Sequence, residues 1–200
     1  MANNKIVNLV TKFIFIFFVS SFFSIKAFSL KMNSIYGLFG GVNAASVGNS
    51  STVPNRSAVD IDTGALLGLK FNSIGIAYQA NISYLNQTQK PEALDDQNLN
   101  AVLTQSGIRL QYFKNKMSLA LIYHFKSDMQ MIQNSIADEK VQYVSNSGLT
   151  LQVLQSYKKN IGFLYSLSSM GFDESLEDNI KLNKIGFGIG WGNFSSGNIK

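Results

Sequence analysis

Between residues 58 and 192 apolar and polar side chains alternate with a period of two, the pattern of strands that show one face to an apolar medium. In 58–71, Val59, Ile61, Ala65, Leu67, Leu69 and Phe71 fall on one face, and Asp60, Asp62, Gly64, Gly68 and Lys70 on the other, with Leu66 the exception. Residues 74–84, 107–113, 117–126, 148–157, 161–168 and 185–192 repeat the alternation, and a glycine-rich run at 33–44 completes eight predicted strands.

The connections alternate too. Asn72-Ser73, Lys114-Asn115-Lys116 and Lys158-Lys159-Asn160 are short and built of turn-tolerant residues, which predicts tight hairpins. Residues 45–57, 88–103, 129–145 and 172–182 are long and polar. In an antiparallel meander this strict alternation gathers every long connection at one rim and every tight turn at the other, as in outer-membrane barrels.

The chemistry of the two faces decides which one meets water. The polar face is mostly Gly, Ser, Ala, Asn, Gln and Thr, side chains that suit the narrow interior of an eight-stranded barrel. The other face is large, branched and aromatic, and nearly free of charge, which suits lipid. A sheet edge in hydrocarbon would leave backbone groups unpaired, so closure is required. The predicted fold is therefore all-β: an eight-stranded antiparallel up-and-down transmembrane β-barrel. Phe71, Tyr112, Tyr157 and Trp191 fall on the apolar face at the tight-turn ends, and Tyr84 and Phe125 near the long-connection ends, as two aromatic girdles would.

Ahead of the barrel, residues 1–12 carry two lysines and no acid, and 13–25 form an apolar run. Lys26-Ala27-Phe28-Ser29 follows, with Ala27 and Ser29 at the small-residue positions before a cut after Ser29. This is the plan of a secretory signal peptide, and the apolar run is short of the roughly 20 residues of a spanning helix. The predicted organisation is a cleaved signal peptide at 1–29 and a single barrel domain at 30–200. Composition narrows the picture further. The chain lacks cysteine, which excludes disulfides and thiolate metal sites. Of its 17 basic residues three precede residue 30, leaving 14 against all 12 acids, too even a balance for a nucleic-acid surface. Only 14% of residues are charged, few for a domain with a water-facing surface, where about 25% is usual.

With these strands and connections in hand, residues 33–194 resemble the small outer-membrane β-barrels of Gram-negative bacteria, the OmpA/OmpX-like class. The resemblance rests on architecture rather than on a signature motif. It implies an outer-membrane location, contact with outer-membrane lipid and lipopolysaccharide, and insertion by the barrel-assembly machinery. It also implies a last strand that ends on an aromatic residue. Here Ile185, Phe187, Ile189 and Trp191 alternate as such a strand should, but nine residues follow Trp191, and Phe194 has the opposite parity.

Some polar residues fall on the inward face by parity: Asp60, Asp62, Lys70, Arg109, His124 and Lys126. Charges in so narrow a lumen must pair, so the expectation is an interior network in which Arg109 and a lysine meet Asp60 and Asp62. It serves as a polar plug rather than a gated pore. His124 is the sole histidine. Barrels of this size that hydrolyse acyl chains carry a Ser-His-acid site facing lipid, and Tyr123-His124-Phe125-Lys126-Ser127-Asp128 holds no matching arrangement, so His124 reads as an interior residue. Asp95-Asp96 and Asp173-Glu174…Glu177-Asp178 lack the spacing of a calcium loop and read as solvated acid clusters. Glycines 186, 188, 190 and 192 alternate with apolar residues inside a strand, unlike a nucleotide-binding loop. No cofactor and no metal is expected. The expected function is a non-enzymatic outer-membrane barrel with a structural, adhesion or envelope-integrity role, its long loops meeting an external ligand. A narrow solute channel, a lipid-modifying enzyme using His124 and a soluble periplasmic ligand-binding barrel are the alternatives.

Overall fold

The computed structural model describes residues 32–48, 56–87, 100–133, 142–145, 147–173 and 179–194. The chain divides into two compact units, Met1–Met32 and Asn33–Lys200, and the second holds the barrel. The proposed signal segment, with Ala27 and Ser29, lies outside the described residues, as do Asp95, Asp96, Glu174, Glu177 and Asp178.

Nine strand segments form one sheet: β1 (Met32–Gly48), β2 (Arg56–Phe71), β3 (Ile74–Gln87), β4 (Asn100–Lys114), β5 (Met117–Gln133), β6 (Gln142–Ser145), β7 (Gly148–Lys158), β8 (Ile161–Asp173) and β9 (Asn179–Gly192). β6 and β7 lie one beyond the other against β5 and β8, so together they are one stave and the barrel has eight. Each stave is antiparallel to its sequence neighbours, and β1 closes on β9 from Gly37↔Gly192 to Gly48↔Lys181. The sheet therefore has no free edge.

The turns form for local reasons. Asn72 (φ 55°) and Asn115 (φ 52°) take the left-handed conformation that two-residue hairpins demand and that asparagine tolerates better than most residues. The strands run longer than the alternation suggested. β4 begins at Asn100 and β5 continues to Gln133, so several residues read as loop are paired.

The barrel is inverted relative to a soluble protein. Among the described residues, 32 large apolar side chains are exposed while 20 apolar residues are buried. Leu38, Leu67, Leu110, Leu121, Leu167 and Ile189 are typical of the outer belt. The interior holds two apolar layers. One, toward the long connections, includes Val47, Leu85, Leu103, Met129, Phe172 and Leu182. The other, toward the tight turns, includes Ile35, Phe39, Phe113, Leu154, Leu164 and Phe194.

Two bulges set the direction of particular side chains. Opposite the step from Ser106 to Gly107, the partner moves from Lys126 to His124, so Phe125 is the extra residue. Opposite the step from Gly162 to Ile161, the partner moves from Ser156 to Lys158, so Tyr157 is extra. Each bulge shifts the parity of its strand by one.

Candidate functional site

Between the two apolar layers lies a polar band, the most chemically loaded region of the described residues. Its first element is an ion pair. Lys184 Nζ stands 2.8 Å from Asp60 Oδ2, both side chains nearly sealed from solvent, and also donates to Ser83 Oγ at 3.2 Å. Asn43 Nδ2 donates to the same carboxylate oxygen at 2.7 Å, and Ser166 Oγ donates to Asn43 Oδ1. Asp62, half-buried, borders a void of about 10 Å3 together with Asn43 and Gln152, space for about one water.

The second element is centred on Arg109, which is fully buried. Its Nη1 donates to Gln79 Oε1 and Gln152 Oε1, and its Nε to Gln111 Oε1, each at 2.7 Å. The acceptors are three amide oxygens and no carboxylate. Gln111 in turn donates to Ser118 Oγ and to the backbone carbonyl of Phe194. The Phe194 ring sits inside the tight-turn mouth, with the guanidinium 5.8 Å from its centroid and Phe39 at 6.5 Å. Gly37 and Gly190 make room for it: a Cβ at either position would collide with that ring. Gly192, at φ 138°, turns the chain inward, and Asn193 anchors the turn by accepting from Tyr36 N at 2.8 Å and donating to Ser34 O at 2.9 Å.

The third element is His124, whose Nε2 is 2.8 Å from Thr150 Oγ1, itself 2.8 Å from Ser168 Oγ. Hydroxyls, not a carboxylate, neighbour the ring. Among the described residues no three His, Cys, Asp or Glu side chains gather as metal ligands.

These placements differ from the sequence expectation at two points. Arg109 does not meet Asp60 or Asp62; Lys184 takes the carboxylate, and the three glutamines take the arginine. Lys126 does not face the lumen. The Phe125 bulge turns it outward, where it is exposed and pairs with Asp128 at 3.3 Å. Asp60, Lys70 and His124 are buried, and Lys70 Nζ lies 4.3 Å from the centroid of the Phe113 ring. Sequence reasoning did not single out Lys184, Asn43, Gln79, Gln111 or Gln152. Lys184 carried a usable signal, since it has the inward parity of Gly186 and Gly188 just ahead of the strand read from Ile185.

On the outside, Tyr84, Tyr112, Phe125, Tyr157 and Trp191 are exposed, and Phe71 is half-exposed. Tyr36 joins the lower girdle beside Trp191, with ring centroids 6.3 Å apart.

A closed eight-stave barrel with its large apolar side chains outside and a packed polar lumen defines a class, the small β-barrels of the outer-membrane type. No family profile matches the chain, and no curated protein matches it in sequence. Solved structures do match. Neisserial surface protein A superposes with a TM-score of 0.61 at 8% identity, over 80% of this chain and 98% of that one. Ail, the attachment invasion locus protein of Yersinia pestis, superposes with a TM-score of 0.51 at 11% identity, over 80% of this chain and 99% of that one. Ail has also been solved with the heparin analogue sucrose octasulfate. At such identities the common property is the fold, and at that level the resemblance to the small OmpA/OmpX-like barrels holds.

Proposed function

We propose that this chain is an exported, non-enzymatic outer-membrane protein whose barrel is a scaffold and whose four long connections face outward in a structural, adhesion or envelope-integrity role. The observation that carries the reading is the inversion of the surface: 32 large apolar side chains exposed around a closed sheet require a non-aqueous surround. An apolar ligand cavity, as in a soluble barrel, would need that face inside, and the lumen holds Arg109, Lys184 and Asp60 instead.

The filled lumen favours a scaffold over a channel. Arg109 and the Lys184–Asp60 pair occupy the cross-section between the two apolar layers, and Phe194 fills the tight-turn mouth below them. His124, set among hydroxyls inside the wall, favours a structural residue over a general base.

Exchange of the long connections for short turns tests this. The shortened barrel is expected to keep its folded electrophoretic band and lose any surface-binding phenotype. In planar bilayers the intact protein is expected to give no steady conductance. Acyl hydrolysis that disappears in a folded His124→Ala variant would instead establish the enzyme reading.

A further inference from the structure

Charge is divided unevenly between the two rims. All twelve acidic residues lie in the long connections or in the strand halves leading to them. The tight-turn rim carries Lys114, Lys116, Lys158 and Lys159, every one exposed. Neither β4 nor β7 contains an acid, and on β5 the first carboxylate is Asp128, far up the strand. The ion pairs of the described residues are Lys126–Asp128 and Lys184–Asp60, so none of these four lysines has a carboxylate partner there.

The lysines are also close together. The β4–β5 and β7–β8 hairpins stand side by side, since β5 pairs with β7 from Met117↔Gln155 and Ser156 N donates to Lys116 O at 2.7 Å. Just inside them on the outer surface are Tyr112, Met117, Tyr157 and Trp191, the rim of the apolar belt. Lys158 Nζ lies over the Tyr157 ring, 5.6 Å from its centroid, which ties this cation to the aromatic edge of the belt.

We propose that this four-lysine patch binds the phosphates of anionic phospholipid headgroups in the leaflet at the tight-turn side. The inference rests on the membrane reading above and adds a lipid class and a place to it. The favoured occupant follows from height: cations immediately on the water side of an aromatic girdle stand at headgroup level. There, each is attracted to an anionic surface, and among the described residues no carboxylate pairs with any of the four.

The chain supplies its own reporter. Trp191 is its single tryptophan, is exposed, and pairs with Ile161 at the foot of the β7–β8 hairpin. The full-length protein, reconstituted in vesicles, would have its emission quenched by brominated phosphatidylcholine or by brominated phosphatidylglycerol. The proposal predicts a preference for phosphatidylglycerol of about fivefold, the effect of one well-placed lysine at an anionic surface. The preference should fall in 0.5 M salt and approach unity in a Lys114→Gln/Lys116→Gln/Lys158→Gln/Lys159→Gln variant. Lys126→Gln, at the other rim, should keep it. If the fourfold variant does not fold, Lys158→Gln/Lys159→Gln, nearest the tryptophan, carries the test. Equal quenching by both lipids in the unaltered protein would overturn the proposal and leave the patch to an acidic soluble protein. Preference that survives loss of the lysines would overturn it as well. Quenching by neither lipid would overturn the membrane reading itself.

Discussion

Two buried cations meet different fates at the residue scale. Lys184 has Asp60 at 2.8 Å, so removing either partner strands the other charge in a sealed interior. Asp60→Asn is expected to destabilise the barrel by about 3 kcal/mol, and pairing it with Lys184→Met should recover most of the loss, read as the midpoint of urea unfolding in detergent. A double variant whose loss equals the sum of the two single losses would show that the two charges are not coupled. Arg109 relies on three glutamine oxygens, and inward parity alone could not distinguish that arrangement from a salt bridge. The partners of a lumen charge depend on barrel stagger, which brings residues from distant strands to one height, and no local pattern encodes that. Phe194 illustrates the same point. Its parity fits no outward position, and only the fold shows that it enters the mouth where Gly37 and Gly190 leave space. Gly37→Ala should therefore lower the unfolding midpoint, and do so far less in a Phe194→Ala background, where the colliding ring is gone. Equal effects in both backgrounds would mean that the ring does not occupy the mouth.

At the scale of elements, alternation and turn chemistry made eight staves and three tight hairpins legible before any coordinates. Asn72 and Asn115 sit where the turns need a left-handed residue. Alternation fails where the ladder does. The Phe125 bulge keeps His124 inside and sends Lys126 out, a reversal invisible to a strict period of two. The strand ends also extend beyond the alternation, because inward Leu85, Leu103 and Met129 continue the interior past the residues at which the outer face becomes polar. Since the chain has no cysteine, the bulge can be tested cleanly. In the folded barrel Lys126→Cys should react with a water-soluble maleimide, while His124→Cys should react only after thermal unfolding. The opposite order would place the bulge elsewhere.

For the whole molecule, the distribution of apolar surface outweighs any single contact. Exposing so many large apolar side chains to water, at roughly 1.5–3 kcal/mol each for full burial, would leave a monomer insoluble. The same residues embedded in hydrocarbon cease to be a liability, and the closed β1–β9 seam leaves no backbone edge for lipid to strand. What the connections recognise was not legible and belongs to their own chemistry, since a scaffold of this kind accepts many loops. The most direct test of the central claim is electrophoresis of membranes from expressing cells, with and without boiling. The account predicts a compact band in the outer-membrane fraction that shifts on heating, as a closed barrel unfolds. A protein recovered from the soluble fraction, with one band unaffected by heat, would contradict it.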